Sequence, residues 1–155
     1  MNRRDRTSIG IRRQPAEARK DNERKMFHVH HVGYLVKSLP EAREHFLMLG
    51  YAVEGEAVFD QTRGVEIQFL EKDGYRVELV SPAVSDSVVS GLMKRFKNAP
   101  YHICYTVTAL SGAIEALRES RFVMIDEPAP APAIEGRRVC FLFSDRIGII
   151  ELLED

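Results

Sequence analysis

Two histidines and two glutamates recur at equivalent points of this sequence, and side chains of these types can bind a metal ion or move protons. His31 and His102 each begin the pattern His-x-x-Tyr-x-Val. Glu78 and Glu151 each follow an aliphatic residue and precede a leucine, and their separation along the chain nearly equals that of the histidines. A single histidine or glutamate in a strand is more often structural. Recurrence in pairs favours one shared site instead.

An internal repeat extends beyond these four residues. Apolar residues match without gaps after each histidine, at the same offset that relates the two histidines. The matched pairs are Leu39 with Leu110, Ala42 with Ala113, Phe46 with Leu117 and Tyr51 with Phe122. A repeat of this length indicates that the chain consists of two copies of one structural unit.

Local periodicity within the first copy predicts its secondary structure. The predicted elements are a strand at 31–36, a helix at 39–49, a weaker strand at 53–59 and strands at 64–70 and 75–80. Gly50 ends the helix, and Asp73-Gly74 forms the turn between the last two strands. The order is therefore βαβββ, with one module at about residues 27–82 and the second at about residues 99–155.

Alternation along the strands predicts two different faces for the sheet, because successive side chains of a strand point to opposite sides. The apolar parity is expected to pack under the helices, and its members are Val32, Tyr34, Val36, Val65, Ile67, Phe69, Val77, Leu79, Ile103, Tyr105, Val107, Ile150 and Leu152. The members of the polar parity are His31, Glu66, Gln68, Arg76, Glu78, His102, Cys104, Arg138, Cys140 and Glu151. Histidines, glutamates and arginines on one face indicate a functional site.

Composition and charge predict the number of domains, the nature of the N-terminal segment and the class of partner. The chain has 155 residues, of which 45% are hydrophobic and 29% charged, and this predicts a single compact domain at residues 26–155. Residues 1–25 hold nine Lys/Arg against four Asp/Glu, which predicts a disordered basic tail. The rest holds 22 − 9 = 13 against 23 − 4 = 19, and an acidic domain argues against nucleic acid as a partner. Two cysteines and the lack of an apolar run of about 20 residues predict a cytoplasmic protein with no membrane contact.

Four short motifs resemble, in this order along the chain, the vicinal oxygen chelate superfamily, which includes glyoxalase I, methylmalonyl-CoA epimerase, extradiol dioxygenases and antibiotic-resistance proteins. The motifs are His30-His31-Val-Gly-Tyr, Val77-Glu-Leu-Val-Ser-Pro82, Tyr101-His102-Ile-Cys-Tyr and Ile150-Glu-Leu-Leu153. They are most similar to the methylmalonyl-CoA epimerase branch and its small bacterial glyoxalase I-like relatives. The resemblance implies an α+β fold in which two βαβββ modules form a curved eight-stranded mixed sheet, a bowl with helices on its convex face.

The resemblance also implies a metal centre. Members of the superfamily bind a metal inside the bowl through one residue from the first and last strand of each module. The matching residues here are His31, Glu78, His102 and Glu151. Imidazole with carboxylate suits Ni²⁺, Co²⁺ or Zn²⁺, with Mn²⁺ or Fe²⁺ as further options, and the lack of thiolates argues against a closed structural zinc site. We therefore expect one divalent metal per chain.

A metal that polarises a carbonyl oxygen acidifies the adjacent C–H, so the expected reaction is proton abstraction next to a carbonyl. By its place at the metal in the relatives, Glu151 is the first candidate for the base. Glu66, on the same predicted face, is the second. Arg76 and Arg138 are candidates for binding an anionic part of the substrate, and Gln68 is a further substrate-binding candidate.

Three functions remain open from the sequence. The leading one is a metal-dependent isomerase like methylmalonyl-CoA epimerase, acting on a small acyl thioester. The first alternative is a glyoxalase I-like lyase acting on a glutathione adduct. Ser144-Asp145-Arg146 stands where epimerases commonly carry His-Pro-Lys, which counts against the epimerase assignment. The second is a non-catalytic binding or resistance protein of the same fold. The resemblance further implies a homodimer in which each bowl lies within one chain.

Overall fold

The computed structural model describes residues 26–155, and the predicted basic tail at residues 1–25 lies outside that range. The strands are β1 (His28–Leu35), β2 (Ala52–Asp60), β3 (Val65–Lys72), β4 (Tyr75–Pro82), β5 (Ala99–Val107), β6 (Val123–Met124), β7 (Ala129–Ala131), β8 (Arg137–Ser144) and β9 (Gly148–Glu154). The helices are α1 (Leu39–Met48), α2 (Ser90–Phe96) and α3 (Leu110–Glu119), with a short 3₁₀ helix at Pro132–Ile134.

All nine strands of this range belong to one mixed sheet. Its order is β2-β3-β4-β1-β5-β9-β8-β6, and β7 pairs with β8. β1 is parallel to β4 and β5 is parallel to β9, while the antiparallel pair β1 and β5 joins the two halves. The predicted α+β fold with one mixed sheet is confirmed. The structure adds the three-residue strand β7 and the helix α2, which the periodicity does not predict.

The helices α1 and α3 cover one side of the sheet, which we call the helix face. α1 follows Ser38, whose hydroxyl oxygen accepts a hydrogen bond from the Glu41 N–H at 3.5 Å, and it ends just before Gly50, which has a φ of 86°. The buried residues around α1 are Val36, Leu39, Leu70, Val77 and Leu79. The buried residues around α3 are Val107, Leu110, Ala113, Ile114, Cys140, Leu142, Ile150 and Leu152.

The opposite side, which we call the cavity face, is also largely apolar. Its buried cluster includes Leu35, Val65, Ile67, Phe69, Val80, Val139 and Leu153, and Leu92 and Met93 of α2 pack against it. α2 therefore packs on the other side of the sheet from α1 and α3. Because both faces are buried, several strands are apolar at both parities.

This double burial reverses the predicted faces of β3. Directly opposed residues of an antiparallel pair share a face, and β3 pairs Phe69 with Glu78 but Gln68 with Leu79. The prediction that Glu66 and Gln68 share the face of Glu78 is therefore wrong. Both belong to the helix face, because Val65, Ile67 and Phe69 take the cavity side of the strand.

The faces of β8 are reversed for the same reason. β8 pairs Phe141 with Glu151 and Cys140 with Leu152. Cys140 is therefore on the helix face, and Arg138 shares its parity, so the prediction that both face the ligand cluster is wrong. The predicted parity is confirmed on the other strands of the centre, where Tyr34, Val36, Val77, Leu79, Tyr105, Val107, Ile150 and Leu152 pack with the helices.

Two further observations concern the helices and the cysteines. No helix within residues 26–155 combines the length and the apolarity needed to span a membrane. Cys104 and Cys140 are both buried free thiols. The cytoplasmic location stays a prediction.

Candidate metal centre

Two rows of residues cross the four central strands on the cavity face. Strand pairing aligns Gly33 of β1 with residues on β4 and β5, and it aligns Cys104 of β5 with residues on β1 and β9. The first row reads Glu78, Gly33, His102, and the second reads His31, Cys104, Glu151. Each row has a potential metal ligand at both ends and a small residue in the middle. The four polar side chains can therefore converge over Gly33 and Cys104.

These four side chains meet at their donor atoms. His31 Nε2 lies 3.2 Å from His102 Nε2, 3.4 Å from Glu78 Oε2 and 3.1 Å from Glu151 Oε2. His102 Nε2 lies 3.6 Å from Glu78 Oε2 and 3.2 Å from Glu151 Oε2. All four residues are buried. The structure thus brings together the four residues that the sequence resemblance implies as ligands.

Burial and charge oppose each other in this cluster. Burial lowers the pKa of His31, but the carboxylates of Glu78 and Glu151 outweigh burial and raise that pKa to about 9. Burial raises the pKa of Glu151, but attraction from His102 and His31 outweighs it and holds that pKa well below its usual range. Attraction between the histidines and the carboxylates therefore stabilises the metal-free cluster, and a metal ion must displace the proton that this attraction holds on His31.

The donor set fits one divalent ion. Ligand bonds of about 2.0 to 2.2 Å place neighbouring donors roughly 3 Å apart, which is close to the 3.1 to 3.6 Å between the donor atoms here. Glu151 Oε2 is buried and makes no hydrogen bond, although the ring nitrogens of His31 and His102 lie 3.1 and 3.2 Å away. A buried carboxylate oxygen in this state is costly unless a cation completes its environment.

Gly33 makes room for this arrangement. A Cβ atom at position 33 would lie 1.9 Å from Cε1 of His102, far inside van der Waals contact. The His102 ring therefore occupies the space that any larger side chain at position 33 would need. The repeat matches Gly33 with Cys104, the small residue of the other row. That match was the sequence signal for two positions that must stay small, and only the strand register shows why.

His30 supports His31 rather than joining the cluster. His30 Nδ1 lies 2.8 Å from His31 Nδ1, and His30 Nε2 lies 2.7 Å from Arg76 Nη1. Burial, followed by the charges of His31 and Arg76, lowers the pKa of His30 to about 4, so the ring is neutral at pH 7 and accepts a hydrogen bond from Arg76. Arg76 Nε also donates to Glu54 at 2.7 Å. These contacts orient the His31 ring, as residues around metal ligands commonly do.

A cavity of about 260 Å³ opens beside the cluster, and Glu78 and Glu151 reach its wall. Most of the lining is apolar, with contributions from β3, β8 and α2. The other polar residues of the lining are Asp60, Arg63, Tyr101 and Asp126. Burial raises the pKa of Tyr101 well above its usual value, so its hydroxyl group remains a neutral hydrogen-bond donor. The sequence analysis gave none of these four residues a role: Tyr101 stands in one of the four motifs without a task of its own, and no motif or repeat contains the other three.

The predicted substrate-binding residues lie elsewhere. Gln68 donates to the Gly55 carbonyl oxygen at 3.2 Å on the helix face. Arg138 is exposed and makes two hydrogen bonds of 2.7 Å to Glu154. Arg76 is on the cavity face as predicted, but its charge is taken up by Glu54 and it does not line the cavity. The sequence predicted an arginine at the substrate site, and the arginine that lines the cavity is Arg63.

Comparison with known proteins identifies the family. The chain matches the Glyoxalase/Bleomycin resistance protein/Dioxygenase superfamily over residues 30–141. It is 31% identical over 128 residues to the mitochondrial methylmalonyl-CoA epimerase of Bos taurus, which covers 81% of this chain and 73% of that protein. A hypothetical protein from Bacillus halodurans C-125 has a similar structure, with a TM-score of 0.75 and 26% identity over 83% of this chain and 94% of that one.

A Streptomyces coelicolor methylmalonyl-CoA epimerase, solved in complex with 2-nitronate-propionyl-CoA, shares the fold. Its TM-score is 0.71 at 19% identity, over 84% of this chain and 98% of that one. The repeated motifs, the mixed sheet and these matches agree with one another. This chain therefore belongs to the glyoxalase/bleomycin resistance protein/dioxygenase superfamily.

Proposed function

We propose that this protein is a divalent-metal-dependent enzyme of the methylmalonyl-CoA epimerase type, which removes and returns the proton next to the carbonyl of a small acyl thioester. The observation that carries the proposal is the convergence of His31, Glu78, His102 and Glu151 beside an apolar cavity. The relatives support the reaction class, since the Bos taurus epimerase is 31% identical and the Streptomyces coelicolor epimerase is solved with an acyl-CoA ligand.

Each residue has a defined task in this proposal. His31, Glu78, His102 and Glu151 hold the ion, which when bound supplies positive charge to stabilise negative charge on a carbonyl oxygen. Glu151 also accepts the α-proton, because a carboxylate is ionised at neutral pH and this side chain reaches the cavity beside the ion. Glu66 has no task, because it is exposed on the helix face.

The apolar walls suit a short acyl group. Val65, Val88 and Leu92 line the cavity next to the two glutamates. Walls of this kind exclude water from the reacting carbon, and charges interact more strongly away from water. The part of the substrate that carries the reacting proton is therefore expected to be small and aliphatic.

Deuterium exchange is the direct test. Purified protein loaded with Ni²⁺ or Co²⁺ is incubated in D₂O with (2R)- or (2S)-methylmalonyl-CoA, and separately with the methylglyoxal–glutathione adduct, beside samples without protein. We expect deuterium to enter C2 of methylmalonyl-CoA as the epimers interconvert, and we expect chelation to stop both processes. Exchange into the glutathione adduct alone would point to the glyoxalase alternative. A metal-loaded protein that exchanges neither substrate would refute the proposed reaction, and a protein that binds no metal would refute the metal centre.

We also propose that the protein is a homodimer in which each cavity is built by one chain. β2 is an edge strand of the sheet and exposes Val53 and Phe59. An open, partly apolar edge in a small domain is a liability unless it is covered. Sedimentation with protein on the order of tens of micromolar, a suitable range for a moderate interface, should show a dimer, and a purely monomeric species would contradict it.

A further inference from the structure

Arg63 is the one cationic side chain in the cavity lining within residues 26–155. The other ionisable residues there are Asp60, Glu78, Tyr101, Asp126 and Glu151. Only 11% of the Arg63 side chain is exposed. Arginine is seldom buried to this extent unless its charge is used, so its contacts indicate its role.

Arg63 is held firmly from one side. Its Nη1 donates to Asp60 Oδ2 at 2.6 Å and to the Pro130 carbonyl oxygen at 3.1 Å. Its backbone N–H donates to Asp60 Oδ1 at 3.1 Å. Asp60 is fully buried, so water does not compete for this ion pair. The guanidinium group is therefore fixed in place, with the turn before β3 tied to β7 of the second half.

The remaining donors of this guanidinium are free for a ligand. Of its three nitrogens, Nη1 alone makes hydrogen bonds within the part of the chain that the structure describes. Nε and Nη2 form one edge of the group, and such an edge matches the two oxygens of a carboxylate. Of the acids around the cavity, Glu78 and Glu151 belong to the metal cluster, and Asp126 accepts a hydrogen bond from the Phe141 N–H at 2.6 Å.

We propose that Arg63 binds a free carboxylate of the substrate, and that the protein therefore selects acyl thioesters that carry a carboxylate on the acyl group. This inference rests on the proposed function and deepens it by naming the specificity residue and the substrate class. One cation with a single free Nε–Nη2 edge can pair with one further carboxylate, which fits a malonyl-type acyl group. The two carboxylates of a glutathione adduct would need a second partner.

The other arginines near the sheet do not serve this purpose. Arg76 donates to Glu54 and His30, and Arg138 makes a two-bond contact with Glu154 outside the cavity. Arg138 is the better control, because it is exposed and lies on the helix face of the sheet, opposite to the cavity. Arg138→Gln removes one arginine of the same chemistry and leaves the cavity intact.

The test compares two ligands that differ by one carboxylate. Calorimetric titration of the metal-loaded protein measures dissociation constants for methylmalonyl-CoA and for propionyl-CoA, in wild type, Arg63→Gln and Arg138→Gln. We expect wild type to prefer methylmalonyl-CoA by roughly tenfold or more, the range of a charge-assisted hydrogen-bonded pair. Arg63→Gln should lose this preference while its propionyl-CoA affinity stays within about twofold of wild type. Arg138→Gln should keep the preference.

Arg63→Gln leaves the Asp60 carboxylate buried without its partner, which can prevent folding. The double variant Asp60→Asn/Arg63→Gln removes both charges and restores the balance. Arg63→Lys keeps the charge but not the planar edge, so it should recover only part of the preference. Each variant is first checked for an unchanged melting temperature and metal content.

The outcomes separate this inference from the proposed function, because α-proton exchange is measured on the same samples. Wild type that exchanges the proton, together with an Arg63→Gln or double variant that keeps the preference, overturns the assignment of Arg63 and leaves the reaction standing. The same conclusion follows if wild type exchanges the proton without preferring methylmalonyl-CoA. Wild type that does not exchange the proton overturns the proposed function itself.

Discussion

Replacing Gly33 with alanine tests whether the close approach of His102 builds the metal centre. A Cβ atom at position 33 would lie 1.9 Å from Cε1, 2.2 Å from Nδ1 and 2.5 Å from Nε2 of His102. Real Cβ atoms essentially never come within 3.0 Å of another heavy atom, so Cε1 has to move by at least 3.0 − 1.9 = 1.1 Å. The obstacle is the imidazole ring of His102, whose centroid lies 5.2 Å from the centroid of the Phe141 ring. A packed ring moves aside less easily than the end of a flexible side chain.

A shift of that size takes His102 out of the cluster. Distances between a metal and its ligands vary by only about 0.2 Å. The displaced His102 can therefore no longer bind the ion, and three of the four donors remain. Changing residues that merely orient a ligand costs about 10- to 100-fold in metal affinity, and losing a ligand should cost about 100-fold or more. The metal-free protein should also lose about 1 to 3 kcal/mol of unfolding free energy through overpacking.

Titration of metal-free protein with Ni²⁺ or Co²⁺ measures the affinity, and thermal unfolding measures the stability. Gly112→Ala in α3 is the matched control, because nothing lies within 4 Å of the added Cβ atom. It should keep wild-type affinity. His102→Ala shows the affinity of a site that lacks this ligand altogether. If Gly33→Ala binds metal as tightly as wild type, the reasoning is refuted.

Other predictions concern pH and the base. The pKa of His31 is raised from 6.5 to about 9, so its contribution to the stability of the metal-free protein is complete below pH 6.5 and is lost as the pH rises through about 9. The melting temperature should therefore fall over this range, and a flat profile would contradict the raised pKa of His31. The variant His31→Gln should remove the fall. The pKa of Glu151 is lowered, so its contribution to the stability of the folded protein is present above pH 4.5 and is lost as the pH falls towards the pKa that Glu151 has in the folded state. Acid unfolding of Glu151→Gln, compared with wild type, measures this contribution. Glu151→Gln should also lose nearly all α-proton exchange, whereas Glu154→Gln on the same strand should keep it. Wild-type exchange by Glu151→Gln with metal bound would exclude Glu151 as the base.

Repetition and periodicity determined much of this protein from the sequence alone. The constant offset between the two copies placed His31 and His102 at equivalent points of two units, and equivalent units pack in equivalent ways. The faces of β1, β4, β5 and β9 could be predicted because polar and apolar side chains alternate there. The four residues that converge in the structure could therefore all be predicted from the sequence.

Only the tertiary structure decided the faces of β3 and β8. Phe69 and Phe141 lie on the cavity face of the sheet while the helices cover the other side, so both parities are buried and alternation cannot tell the faces apart. The error placed Glu66, Gln68 and Arg138 in the predicted site, although all three lie on the helix face. Because of the same error, the aromatic and aliphatic side chains of β3 and β8 were not expected on the cavity face, and the apolar character of the cavity was not predicted.

The cavity lining and the room for His102 were likewise decided by tertiary contacts. Arg63 and Asp126 lie far apart along the chain, in connections that no repeat links, and folding places both at one cavity. Gly33 lies directly opposite His102 only because β1 and β5 pair in one particular register. A sequence pattern reports the order of residues along the chain, whereas such contacts depend on which distant backbone segments lie side by side.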